Sequence, residues 1–110
     1  MTYIISEINA VEPDLPDGPA SKANIYAAKV LLMKCYLSKA VYANRTNPVF
    51  DPADMNKVII LADSVINSNN FHFSKNYFDN FSPDNGSRST ENIFTLKSNF
   101  DDNYLISLAW

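Results

Sequence analysis

The sequence has few of the residues that form disulfides and metal sites. Its 110 residues include one cysteine, Cys35, and one histidine, His72. A lone cysteine excludes an intramolecular disulfide, and a zinc site normally needs more cysteine and histidine than this. We therefore predict no metal and no cofactor. Because Cys35 lies in a strongly apolar run, we expect it to be a buried and unreactive thiol.

Charge and hydropathy exclude other classes of function. The formal net charge is −3, and no cluster of lysine and arginine forms a basic face, so nucleic-acid binding is not expected. No apolar run reaches the roughly 20 residues that a membrane-spanning helix needs. The first residues, MTYIISEINAVEPDLP, have neither the basic start nor the small-residue cleavage site of a signal peptide.

Hydrophobic periodicity predicts a first long helix at about residues 21–43, with Ser21 as its N-cap. Its apolar side chains lie nearly all the way round, which is typical of a helix packed on more than one side. The tyrosines of this helix are predicted to contact neighbouring helices: Tyr26, Tyr36 and Tyr42. Its lysines share no stripe and are predicted to extend into solvent: Lys22, Lys29, Lys34 and Lys39.

A second helix is predicted at about residues 52–68. Asp51 is its expected N-cap, and Pro52 suits the first helical position. The predicted apolar face consists of Met55, Val58, Ile59, Ala62, Val65 and Ile66. The predicted wet face consists of Asn56, Lys57, Asp63, Ser64 and Asn67. The two helices together indicate a mainly α fold with a tetratricopeptide-like antiparallel pair.

Segments of lower helical content flank this pair. Residues 3–12 are predicted to be the end of a preceding helix, and residues 69–110 to be irregular because asparagine favours turns over helix interiors. A turn is predicted at 82–86 and a short extended apolar run at 91–96. We interpret residues 1–110 as a single partial domain of marginal stability, a piece of a larger helical domain.

A run of aromatic residues after the second helix is the first candidate ligand site. It consists of Phe71, Phe73, Tyr77, Phe78 and Phe81. Sugars stack their flat C–H faces on exposed aromatic rings, but large apolar side chains are more often buried. We therefore expect the run to anchor the irregular segment on the helix pair. Tyr77, the ring with a hydroxyl, is the candidate sugar contact, and the other ligand-binding residues stay unknown.

Acidic residues of the second half were considered as a catalytic pair for glycoside hydrolysis. Asp79, Asp84 and Glu91 are the candidates. Such a pair must face each other across a cleft at roughly 5–10 Å. Turn and capping roles are expected for Asp79 and Asp84. No acid–base constellation stands out, so we predict no catalytic residue and no enzymatic activity.

Four motifs then follow one another in an order that has a family counterpart. Residues 27–37, AAKVLLMKCYL, are similar to a helix written AAxALLAKxYL, and residues 62–68, ADSVINS, to AxxVIxSG. Residues 77–85, YFDNFSPDN, are similar to NYxxxFxxDN, and residues 91–94, ENIF, to EIIF. In this order and spacing they resemble the SusD/RagB family of outer-membrane nutrient-binding lipoproteins of Bacteroidetes.

The resemblance implies a helical scaffold of tetratricopeptide-like pairs in a surface-exposed, lipid-anchored protein. Such proteins bind starch and other glycans, or peptides, and deliver them to a TonB-dependent, SusC-like transporter. They are not enzymes. This chain departs from the family in lacking the lipidated cysteine, and it has Gly18 to Lys22, GPASK, where the family often has Gly-Arg-x-Thr. We therefore expect an internal fragment or a truncated gene.

The alternative interpretation is a free-standing tetratricopeptide-like module. Such a module binds a peptide or a helix of another protein in its groove.

Overall fold

The computed structural model describes residues 1–96, and within that range the chain is mainly α-helical, without β-strand. Its helices are α1 (Thr2–Val11), α2 (Ile25–Ala43), α3 (Pro52–Ile66) and α4 (Asn85–Arg88). Short 3-10 helices lie at Glu12–Asp14 and Tyr77–Phe81. The predicted mainly α fold is confirmed. The part of the predicted irregular segment at 97–110 lies outside the described residues.

Helices α2 and α3 form the predicted antiparallel pair. Lys29, early in α2, donates a hydrogen bond of 2.9 Å to the hydroxyl of Ser64, late in α3. Lys39, late in α2, forms an ion pair of 2.8 Å with Asp54, early in α3. The start of one helix therefore lies beside the end of the other.

A small core lies where α1 meets the middle of α2. Leu32 is 1% exposed, and it packs with the buried side chains of Ile5 and Cys35. The partly buried side chains around them are Met1, Ile8, Tyr36 and Leu61. The prediction that Cys35 is a buried thiol is confirmed, since it lies among these apolar side chains of α1 and α2.

The first long helix begins at Ile25, later than the sequence pattern predicted. Asn24 is its N-cap, because its side-chain oxygen accepts a hydrogen bond of 2.9 Å from the backbone N–H of Ala27. Ser21 lies before the helix, exposed, so the predicted cap was wrong. Serine and asparagine are both favoured at this position. Asn24 differs from Ser21 in a second hydrogen bond, which its side-chain amide donates to the carbonyl of Ile93.

The boundaries of α3 follow the expected chemistry closely. Asp51 accepts a hydrogen bond of 2.8 Å from the backbone N–H of Ala53, and Pro52 takes the first helical position. The helix ends at Ile66 and not at residue 68. Asn69 follows with a φ of 56°, the left-handed conformation that asparagine tolerates better than most residues.

The buried apolar face of α3 is narrower than the sequence pattern indicated. Ile59 and Ile66 of α3 are 58% and 69% exposed, whereas Leu61 packs towards the core. Ser64 was assigned to the wet face but contacts α2 through Lys29. The reason is that α3 packs on α2 along one side, so part of its apolar stripe has no neighbour among the described residues.

Lys29 also contradicts the prediction that the α2 lysines extend into solvent. Its ammonium group lies 3.2 Å from the carboxylate of Glu12, and its side chain is 16% exposed. Together with the bond to Ser64, this contact joins α2 to α3 and to the short 3-10 helix after α1. Burying an ammonium is costly unless it is paired, and here it is paired on both sides.

Candidate functional site

The segment after α3 is fastened to α2 at its beginning. The side-chain amide of Asn70 donates a hydrogen bond of 2.7 Å to the hydroxyl of Tyr26. The ring of Phe71 meets the ring of Tyr26 edge to face, with centroids 5.1 Å apart. Tyr26 is buried and uses both its ring and its hydroxyl, but these two partners lie in the segment after α3 and not, as predicted from the sequence, on a neighbouring helix.

The two arms of this segment are held together by polar contacts. The N–H of His72 donates to the carbonyl of Thr90 at 3.0 Å, and the hydroxyl of Thr90 donates back to the carbonyl of His72 at 2.6 Å. The N–H of Ser74 donates to the Glu91 carboxylate at 2.7 Å. Residues 72–91 therefore form a loop closed at its base.

The side chain of Asn80 lies in the middle of this loop. Its oxygen accepts hydrogen bonds from the hydroxyls of Ser74, at 2.9 Å, and Ser89. Its backbone carbonyl accepts a further bond from the side chain of Asn85 at 3.1 Å. The interior of the loop is thus built from amides and hydroxyls, which leaves no room there for the aromatic rings.

The aromatic rings of the loop point outwards. Phe73 is 96% exposed and Phe78 is 74% exposed, and Tyr77 and Phe81 are also mostly exposed. The prediction that the aromatic run anchors the segment on the helices was therefore wrong, except for Phe71. The hydrogen bonds around Asn80 hold the loop closed, so the loop forms without burying these rings.

Three of the exposed rings form one surface, which we call the aromatic cluster: Tyr77, Phe78 and Phe81. The ring of Tyr77 is central, with its centroid 5.8 Å from that of Phe78 and 5.1 Å from that of Phe81. Asn76 fixes the turn beneath them by accepting a hydrogen bond from the N–H of Phe78. Exposed apolar surface of this kind is typical of contacts with another molecule.

The structure gives the three acidic candidates structural partners. Arg88 lies 3.4 Å from the carboxylate of Asp79 and 3.0 Å from that of Asp84. The hydrogen bond from the Ser74 N–H, helped by the Asn80 side chain, holds the pKa of Glu91 below its ordinary value. A general acid of a glycosidase needs the opposite, a raised pKa. These carboxylates bind the loop together rather than face a common substrate position.

The remaining α2 tyrosines differ from each other. Tyr36 packs against the core, as predicted. Tyr42 is 63% exposed, and its ring lies 5.9 Å from the guanidinium carbon of Arg45, so the prediction of an interhelical contact was wrong there. Tyr42 lies near the end of α2, in the last turn before the connector, where the helix extends beyond its neighbours.

A second surface feature is an open apolar groove of about 750 Å³ between α1, the first half of α2 and residues 91–94. Its apolar lining includes Ile8, Val11, Ala27, Leu31, Ile93 and Phe94. Val11, Leu31 and Phe94 are each about half exposed, so the groove is accessible. Its size is in the range of small-molecule and peptide sites.

Two asparagines lie at the wall of this groove. The Nδ2 of Asn24 donates hydrogen bonds to the carbonyls of Ile93, at 2.9 Å, and Lys22, at 3.1 Å. The Nδ2 of Asn92 is buried and has no hydrogen-bond partner among the described residues. Buried donors are nearly always paired, so Asn92 is an exception among the described side chains. Sequence reasoning missed Asn24, although asparagine directly before an apolar run is a good cap signal.

Within residues 1–96, no three histidine, cysteine, aspartate or glutamate side chains come together in a way that could hold a metal ion. His72 contributes its backbone to the base of the loop. In the same range, none of the helices has the length and apolar character required to cross a bilayer.

Comparison with known proteins adds nothing to this picture. No protein-family model, curated protein or solved structure matches the chain.

Proposed function

We propose that this chain is a scaffold part of a non-catalytic, cell-surface nutrient-binding protein of the SusD/RagB kind. In that role its helices belong to a lipid-anchored protein of the outer membrane, which binds glycans or peptides and delivers them to a TonB-dependent, SusC-like transporter. The observation that carries the proposal is the order of the four motifs along one helical fold.

The positions of the two helical motifs in the fold support the proposal. The AAKVLLMKCYL run lies in α2 and provides Leu32 and Cys35 to the core. The ADSVINS run ends α3, and Asn69 directly after it has a φ of 56°, where the family pattern has glycine. Glycine is favoured at such a position because it has no Cβ to clash.

A long-range contact also supports it. The ENIF motif at 91–94 is held at the start of α2 by the bond from Asn24 to the carbonyl of Ile93. The end of the chain's last motif is thus joined directly to the helix that carries its first motif. A shared structural role of this kind is a reason for both motifs to occur together.

The non-catalytic part of the proposal is supported by the partners of the acidic residues. Asp79 and Asp84 are paired with Arg88, and Glu91 accepts a hydrogen bond from Ser74. Turnover of a polysaccharide that disappears in a Glu91→Gln or Asp79→Asn variant would contradict this part.

Glycan titration of the 110-residue chain tests the scaffold role. We expect no tight binding to an array of oligosaccharides that includes starch fragments, because the described part of the chain offers one exposed platform and no enclosed sugar pocket. Tight binding that is lost in Tyr77→Ala but kept in Tyr42→Ala would overturn the scaffold role. It would assign glycan recognition to the aromatic cluster, since both tyrosines are exposed to a similar extent.

The genomic neighbourhood tests the family assignment separately. We expect an adjacent gene for a TonB-dependent transporter and a reading frame upstream that encodes a signal peptide with a lipidation cysteine. The absence of both would contradict the assignment.

The open groove favours a second candidate, the tetratricopeptide-like protein-interaction module. Its apolar lining beside α2 is the kind of surface that accepts an amphipathic helix of a partner. Binding of a defined helical peptide to the monomeric chain, abolished by Leu31→Glu and unchanged by Ile59→Glu, would favour this candidate. No such binding to any peptide of a helical library would exclude it.

A further inference from the structure

Several features of the molecule offer no new site. The Asn80 loop is saturated by its own hydrogen bonds. A smaller cavity of about 170 Å³ is lined by Lys39 and Asp54, whose charged groups are already paired with each other. The apolar groove differs, because it is large, accessible and lies where the described part of the chain ends.

We propose that residues 104–110 of the same chain, YLISLAW, bind in the apolar groove between α1, α2 and residues 91–94. The proposal does not depend on the proposed function, because it concerns contacts within one chain. Two observations support it: the attachment of residues 93–95 at the edge of the groove, and the composition of residues 104–110.

The chain is held at the edge of the groove just before the described residues end. Ile93 is bound by Asn24, and the N–H of Thr95 donates a hydrogen bond of 2.8 Å to the carbonyl of Ala20. Phe94, between them, lines the groove. The described part of the chain therefore ends close to the edge of the groove.

Residues 97–103 form a linker that is long enough for residues 104–110 to reach every part of the groove. The groove follows α2 from its start at Ile25 to Lys34, which corresponds to roughly 14 Å of helix. A linker of the length of residues 97–103 spans at most roughly 25 Å. Tethering of this kind produces an effective concentration on the order of millimolar, so even a weak contact becomes occupied.

Composition agrees with this occupant. Residues 104–110 are almost entirely apolar, and most of the residues that line the groove are apolar as well. Burial of the apolar run against exposed Val11 and Leu31 removes hydrocarbon from water on both partners.

The single tryptophan, Trp110, provides a direct readout in the full-length chain. If the proposal holds, its fluorescence is shifted to shorter wavelength than in the urea-unfolded chain and is protected from acrylamide. Leu31→Glu and, independently, Val11→Glu shift the emission back to longer wavelength and restore quenching. The matched control Ile59→Glu, which places the same charge on an exposed site of α3, leaves both unchanged.

The fluorescence experiment distinguishes binding of residues 104–110 in the groove from unfolding of a variant and from binding of a second copy. Far-UV circular dichroism confirms that each variant is folded, and the use of two groove variants at half-exposed positions guards against one that fails to fold. Solvent-like emission in the unmodified chain overturns the proposal. So does a shifted emission that neither groove variant changes, and so does one that vanishes on dilution, since that identifies a second copy as the occupant.

Discussion

Asn24 connects two parts of the chain that are far apart in sequence. Its side chain accepts from the N–H of Ala27 at the start of α2 and donates to the carbonyl of Ile93. It is 2% exposed, so water cannot replace either bond. A single residue thereby sets where α2 begins and where the segment after the loop returns to the helices.

We predict that Asn24→Ala lowers the free energy of unfolding by about 2 kcal/mol, through loss of a cap worth about 1 kcal/mol and of a buried hydrogen bond worth a similar amount. Asn24→Ser, which keeps the capping oxygen, should cost about half as much. Ser21→Ala, at the exposed residue before the helix, should have almost no effect. Urea denaturation measures all three, and an equal effect at positions 21 and 24 would contradict the assigned cap.

Asn69 offers a test of backbone conformation. Because its φ is 56°, we predict that Asn69→Ala destabilises by about 1 kcal/mol, since a Cβ without a local hydrogen-bonding group is unfavourable there. Asn69→Gly should be neutral or slightly stabilising. Asn67→Ala is the control, as Asn67 has a φ of −73°. The reverse order of stability in urea would show that the left-handed turn is absent.

At the level of elements, the loop at 72–91 has the most unusual arrangement. Its interior is polar and its surface carries the aromatic rings. Glu91 closes its base through the N–H of Ser74. The loop is therefore stabilised by hydrogen bonds to amides and to the Glu91 carboxylate, and by the pairing of Arg88 with Asp79 and Asp84, while the rings remain exposed.

We predict that the base of the loop responds to acid. The pKa of Glu91 is lowered by its hydrogen bonds, so its stabilising effect is present above the ordinary value of about 4.3 and is lost as pH falls through the lower pKa of the folded state. The amide shift of Ser74 in NMR spectra should titrate with a midpoint below that ordinary value. Glu91→Gln should abolish this titration, and Glu7→Gln, on the exposed face of α1, should not. A midpoint above the ordinary value would contradict the role of Glu91.

The whole molecule has a small core for its length. The buried apolar residues within 1–96 are Ile5, Tyr26, Ala28, Leu32, Cys35 and Val65. Large apolar side chains such as Ile59, Ile66 and Phe73 are exposed. A domain with this balance has little stability to lose, and its marginal stability stays a prediction that unfolding measurements test.

We predict that Leu32→Ala costs about 3 kcal/mol, because it removes a fully enclosed side chain and leaves a cavity where α1 meets α2. Leu37→Ala, at a side chain that is 46% exposed on the same helix, should cost about 1 kcal/mol or less. Thermal melts followed by circular dichroism compare them. A high-temperature, cooperative melt that Leu32→Ala leaves unchanged would contradict both the core and the marginal stability.

Local sequence was enough to predict the two long helices and the burial of Cys35, whereas the sugar-contact role of Tyr77 stays a prediction. The apolar period and the Asp51-Pro52 pair locate α3, and a cysteine within an apolar run is buried wherever that run packs. These features depend on neighbours within a few residues. Tyr77 was identified as the candidate sugar contact from the chemistry of its side chain alone.

Tertiary structure decided which surfaces are open. Whether Phe73 and Phe78 are buried depends on the side chains inside the loop, and Asn80 takes that place. The groove depends on the return of Ile93 to α2, where Asn24 donates a hydrogen bond to its carbonyl. The helical scaffold was therefore determined by the sequence itself, through local capping and periodicity. The exposed aromatic cluster and the groove were decided by contacts between residues that no local pattern relates.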